Sequence, residues 1–376
     1  MYLAKMKVNE QEYLPFNFEV TSDKTLKIFN AEEVILVDDI TYENDSVYIK
    51  MPVFEGYIVA KLIEDGMVGN FTHESFGKTM PFEAFYNSNE RFELIEPAAT
   101  DISGRWEVVF SPESDQDKYL AKGIFIQKDQ KVTGTFQTKT GDYRYLEGVV
   151  DGDQLKMSTF DGAHAYLFTA TVTDSTLNGT FFSGNNWSTT FEAQRNDFFE
   201  LPDANDLTFL KAGYEHLEFS FPDEEGQMVS LTDSQFKGKV VIVQIMGTWC
   251  PNCLDETKYF SEYYKNNSEQ DIEFIALAFE YAKTKAKAFK AIGELKDRTG
   301  IEYPVLLAQY GTSNKLEAQE KLPMLNHVLS YPTSIFIDKT GKVRKIHTGF
   351  SGPATGQAYI DFKKEFEGFI DTLLAE

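Results

Sequence analysis

Cys250 and Cys253 are the only cysteines among 376 residues, and two positions separate them. They sit in VVIVQIMGTWCPNCLDETKYF, where an apolar run (240–245) leads into Trp249-Cys250-Pro251-Asn252-Cys253 and a stretch of helical spacing (255–267) follows. A continuous apolar run of that kind predicts a strand buried on both faces. Cys250 is therefore expected at a helix N-terminus, where unsatisfied N–H groups and the macrodipole favour a thiolate over a thiol. Cys253 can reach back and close a small ring with it. An activated attacking thiolate with a resolving thiol beside it is what thiol–disulfide exchange requires. One pair in so long a chain also excludes a structural disulfide framework.

Zinc is the competing use of such a pair, and it needs two more Cys or His ligands at short spacing. The histidines His73, His164, His216, His327 and His347 are scattered, with none near another. No metal is expected, and no cofactor beyond the redox-active Cys250–Cys253 disulfide itself.

The elements that must position this pair begin beyond an acidic, Pro-containing segment (196–206). Strand-like runs (240–245, 272–279) alternate there with helical ones (255–267, 282–300), the pattern of an α/β domain. Two short strands (333–338, 343–350) form a hairpin around 339–342, and an amphipathic helix (359–375) closes the chain. Upstream, from 17 to 194, apolar residues alternate with period two, and Asp-Gly, Thr-Gly-Asp and similar turn signals recur roughly every eight to twelve positions. Turns that short allow only antiparallel pairing, so this region is expected to be all-β. An internal repeat is expected within it: 45–86 runs beside 153–194, each with an acidic-Gly turn and a last strand containing Phe-Glu-Ala. Two copies fit either two β-units or two halves of one barrel. The boundaries that follow are a β-rich unit at 1–97 (a half-barrel in the second case), another at 98–200, a linker at 201–216, and the α/β domain at 217–376. GRWEVVF (104–110) resembles the Gly-x-Trp opening of lipocalin-like barrels. Such an interior holds a small apolar ligand in some proteins, but one packed shut is the expectation.

The stretch FSFPDEEGQMVSLTDSQFKGKVVIVQIMGTWCPNC resembles the opening of a TlpA/ResA-type thioredoxin-like domain, with its short hairpin and its L…FKGKVV before W-C-x-x-C. The likeness extends over 217–376 and is also clear at YPTSIFIDKTGKV. It implies a thioredoxin-like fold and a protein-disulfide oxidoreductase, more a reductant than an oxidant. Pro332 matches the family's cis-proline opposite the CxxC. Trp249, Pro251, Asn252, Tyr331, Pro332 and Thr333 would then border the groove that takes an extended client strand. Where thioredoxin itself has a buried Asp, six positions before the first Cys, this chain has Gln244, which cannot shuttle a proton. Glu256, three positions after Cys253, matches an acidic residue that assists proton transfer to the second Cys in ResA-like proteins. Asp255 is its rival, and a helix-surface Glu256 the plainer alternative. His327, four positions before Tyr331, is expected to be a surface histidine. The likeness further implies clients with cysteines or disulfides and an upstream thiol electron donor. It implies a bacterial cell envelope or periplasm, with an export or lipid-anchor segment outside this sequence and the cytoplasm as the alternative. A role in cytochrome maturation or in general disulfide repair fits equally.

Composition sets outer bounds. Hydrophobic residues at 42% and charged residues at 25% fit a soluble chain with ample core. A net charge of −23 repels phosphate backbones and anionic lipid, so neither nucleic acid nor membrane surface is an expected partner. No apolar run approaches the roughly eighteen residues of a membrane span, and 1–8 lacks the apolar core of a signal peptide. A peroxiredoxin-like peroxidase fits less well: Thr248 lies two positions before Cys250 rather than three, and Trp249 stands between them with no preceding Pro. A ligand- or partner-binding envelope protein using the α/β domain as scaffold would not need an intact CxxC.

Overall fold

The computed structural model describes residues 1–52, 54–73 and 77–376, so 53 and 74–76, which fall inside the first repeat copy, lie outside the described residues. The chain divides into two units. One comprises Met1–Thr138 with Tyr143–Leu201, the other Lys139–Asp142 with Pro202–Glu376.

The first unit is all-β and antiparallel. Its N-terminal sheet centres on Tyr2–Lys7, which pairs with both Tyr13–Ser22 and Lys78–Tyr86. Glu33–Val37 and Asp39–Glu43 form its two edges. A second set of strands, from Gly104–Phe110 to Trp187–Arg195, closes on itself. Gly104–Phe110 pairs with Tyr119–Lys128 on one side and with Trp187–Arg195 on the other, and Tyr119–Lys128 pairs onward to Lys131–Thr138. A closed sheet has no free edge to manage. Alternation along GRWEVVF turns Trp106, Val108 and Phe110 inward, all fully buried. Phe125, Phe136, Phe168, Phe181 and Phe191 fill the space around them, Phe168 stacking on Phe181 at 4.3 Å. The interior is thus packed with aromatic rings.

The two repeat copies form matching four-strand runs, Ser46–Lys50 to Lys78–Tyr86 and Gln154–Phe160 to Trp187–Arg195. They belong to separate sheets, however, so the single shared barrel is corrected: the second sheet closes through its own first and last strands. The sheets meet through Phe160, Ala165 and Leu167, which join the core of the first.

The second unit has a sheet in the order β3-β2-β1-β4-β5, with β1 (Val240–Met246), β2 (Ile272–Phe279), β3 (Val305–Gln309), β4 (Thr333–Ile337) and β5 (Val343–Thr348). The first three are parallel and the last two antiparallel. β1, at the centre, is buried along its whole length, as its apolar run predicts. Helices α1 (Pro251–Asn266), α2 (Lys285–Thr299), α3 (Lys315–Lys321) and α4 (Gln357–Ala375) accompany it. α2, within the helical run expected at 282–300, ends at Gly300 in the left-handed conformation that glycine adopts without strain. The segment expected as a linker, 201–216, is tied down within this unit. Thr208 is buried, Phe209 and Asn326 exchange hydrogen bonds, and Lys211 N–H donates to Met324 O. Among the described residues, no helix is long and apolar enough to cross a membrane.

Candidate active site

Strand β1 delivers the chain through Gly247 and Thr248 to Trp249 and Cys250. The approach is fixed by Glu280, just past β2, whose buried carboxylate accepts both the Thr248 N–H (2.9 Å) and its hydroxyl (2.7 Å). Cys250 is the N-cap of α1 and Pro251 its first residue, a position where a missing N–H costs nothing. The Cys253 N–H donates to Cys250 Sγ at 3.2 Å, and that sulfur also lies 3.4 Å from Tyr331 O. A thiolate at Cys250 is thus met by a backbone donor and the positive end of α1. Both cysteines are free thiols; Cys250 is 6% exposed and Cys253 fully buried. Burial, reinforced by neighbouring Cys250, holds the Cys253 thiol well above its ordinary pKa.

Glu256 lies one turn further along α1 and is fully buried. Its carboxylate accepts Gln244 Nε2 and Ser334 Oγ, each at 2.8 Å. Gln244 and Ser334 face each other across β1 and β4, so one cross-strand pair supplies both donors. Thr257 Oγ1 donates to Gln244 Oε1 at 3.1 Å and fixes the orientation of that amide. Burial pushes the Glu256 carboxyl up to about 8, and its two hydrogen bonds only partly oppose this. Its charge is among those that raise the Cys253 thiol. Asp255 instead turns to Lys258, 3.7 Å away, and the helix-surface alternative for Glu256 is ruled out by its burial.

The Tyr331–Pro332 bond is cis. Trp249 packs its ring against Tyr281 (4.5 Å) and Tyr331 (5.5 Å) and donates Nε1–H to Phe279 O. Thr333 Oγ1 caps back to Ser330 O, and Asn252 Nδ2 donates to Asp142 O. The structure thus gathers Cys250, Cys253, Glu256, Trp249, Pro251, Asn252, Tyr331, Pro332 and Thr333 around one helix terminus. His327 lies away from it, its Nε2 3.0 Å from Leu207 O. Gln244, Ser334 and Glu280 were not among the sequence candidates. Their signal is a buried polar residue inside or at the end of a largely apolar strand, costly unless hydrogen-bonded.

Residues 211–359 match the Redoxin family model. The chain is 30% identical over 142 residues to the thiol-disulfide oxidoreductase ResA of Geobacillus thermodenitrificans, covering 38% of this chain and 72% of that one. It is 34% identical over 134 residues to ResA of Bacillus thuringiensis subsp. konkukian, covering 36% and 68%. A thiol-disulfide oxidoreductase from Bacteroides fragilis aligns in three dimensions over 40% of this chain and 99% of its own, at 18% identity and a TM-score of 0.29. On the site's geometry and the first two relatives, the chain belongs to the ResA family of thiol-disulfide oxidoreductases.

Proposed function

We propose that this oxidoreductase reduces disulfides of client proteins, with Cys250 as nucleophile, Cys253 as resolving thiol and Glu256 as the proton carrier between steps. The observation that carries the reading is the burial of Glu256, held by Gln244 and Ser334 alongside a Cys250–Cys253 pair capped on α1.

In the first step the Cys250 thiolate attacks one sulfur of the client disulfide. A mixed disulfide forms, and the client's other sulfur leaves as a thiolate and takes up a proton. In the second, Cys253 gives its proton to the Glu256 carboxylate and attacks Cys250 Sγ. That expels the second client thiolate, which takes up a proton from solvent, and leaves the Cys250–Cys253 disulfide with Glu256 protonated, so two electrons pass to the client. A thiol as deeply buried as Cys253 ionises poorly without a base nearby. A carboxyl poised at about 8 can take that proton and return it near neutral pH, when a thiol donor restores the pair. Trp249, Tyr331, Pro332, Thr333, Pro251 and Asn252 border the client strand. We place the work outside the cytoplasm, where client disulfides persist.

The test is the reduction potential of the Cys250/Cys253 couple in defined thiol–disulfide buffers. A value near or below roughly −220 mV is expected of a reductant. A value near about −120 mV would make the protein an oxidant that installs disulfides.

A further inference from the structure

The redox unit includes one piece of chain from far upstream: Lys139–Asp142 belongs to it, although the rest of the unit begins at Pro202. This tetrapeptide lies on the rim of the Cys250 site. Thr140 O accepts the Ser330 hydroxyl at 2.9 Å, two residues before Pro332. Asp142 O accepts Asn252 Nδ2 at 3.1 Å, inside the CxxC turn and 110 residues away in sequence. The Asp142 carboxylate accepts the Gly352 N–H at 2.7 Å. Backbones also approach closely here. A Cβ on Gly349 would sit 2.8 Å from the Thr140 carbonyl carbon, while the Gly349 N–H itself donates to Pro332 O. Gly141 is buried at φ +152°, and a Cβ on it would lie 2.1 Å from Asn252 Nδ2.

The segment therefore binds at once to the CxxC turn, to the residue before Tyr331, and to the loop after β5. A client disulfide must reach Cys250 between these same places, and Cys250 is only 6% exposed. We propose that Lys139–Asp142 is a built-in gate on the client groove. It admits small disulfides and extended, disulfide-bearing segments, and bulkier folded clients must displace it. The proposal rests on the thiol–disulfide reading of the site. A hydrogen bond contributes about fivefold to such an equilibrium, so loss of any one of these three contacts loosens the closed state by about that factor. Gly141 matters because any side chain there drives Asn252 away from Asp142 O.

The test uses full-length reduced protein and three variants, Asp142→Ala, Asp142→Asn and Gly141→Ala. The measurements are the rate of Cys250 alkylation by iodoacetamide against pH and the rate of insulin disulfide reduction. Asp142→Ala and Gly141→Ala should raise the insulin rate about fivefold, whereas alkylation by the small reagent, which the closed segment admits, should change little. The midpoint of the alkylation profile should stay in place, and Asp142→Asn, which keeps an acceptor oxygen, should stay near the parent. An unchanged insulin rate in Asp142→Ala, or an alkylation rate raised as much as the insulin rate, would overturn the gate. So would a shifted midpoint, or an Asp142→Asn variant as fast as Asp142→Ala, because either would assign the effect to charge. Exchange with oxidised glutathione is measured alongside. Its absence in the parent protein would sink the oxidoreductase reading itself, which the alkylation rates do not depend on.

Discussion

Two carboxyls are buried almost equally in the two units, yet their ionisation is driven in opposite directions. Asp161, in the β unit, is 2% exposed, and burial alone would raise its pKa. His164 and Arg144 outweigh that effect, with Asp161 Oδ2 3.5 Å from His164 Nδ1 and 3.7 Å from Arg144 Nε, and hold the group at about 2. Backbone N–H groups of Ala163 and His164 complete its shell. Glu256 has only the neutral donors Gln244 and Ser334, and rises to about 8. Burial is common to both, so the partner's charge decides between a fixed anion and a group that can move a proton. The first arrangement ties a turn to its neighbours; the second suits catalysis.

The contrast breaks most sharply at the cysteines. Cys250→Ser should abolish exchange, whereas Cys253→Ser should accumulate a mixed disulfide with the client, seen on non-reducing gels. Identical behaviour of the two would remove the roles assigned to them. Next, Glu256→Gln should slow resolution of that mixed disulfide on the order of a hundredfold and flatten its pH dependence. Asp161→Asn should leave the rate unchanged in the same stopped-flow assay.

Stability should reverse the ranking. Asp161 carries a depressed pKa, so its contribution is present above the unfolded value of 3.8 and is lost as pH falls through about 2. Asp161→Asn should therefore cost about 2–4 kcal/mol at pH 7 in denaturant titrations, and progressively less in acid. Glu256 carries a raised pKa: the folded state holds its proton between 4.5 and about 8, and stability falls as pH rises across that window. Glu256→Gln should be more stable than the parent by a few kcal/mol above pH 8, the difference vanishing toward pH 4.5. Smallest is Gln244→Leu, which removes one donor and should raise the Glu256 midpoint by about half to one pH unit. A fall instead would mean that Gln244 does not favour the anion.

What the sequence made legible was local. The apolar run of β1, the helical spacing after Cys253 and the resemblance around Pro332 placed the cysteines and the groove. The donors to Glu256 were less accessible, because Gln244 and Ser334 become neighbours only once β4 pairs antiparallel with β1. Closure of the second β sheet depends on pairing between Gly104–Phe110 and Trp187–Arg195, which period-two alternation does not encode. The association of Lys139–Asp142 with Asn252 and Ser330 spans more than a hundred residues and leaves no local trace.

The most direct test of proton transfer by Glu256 is the rate at which Cys253 resolves a Cys250–glutathione mixed disulfide, followed from pH 5 to 10 in the parent and in Glu256→Gln. The parent should show an inflection near pH 8 that is missing from the variant. Superimposable profiles would contradict it and leave Glu256 a buried structural residue.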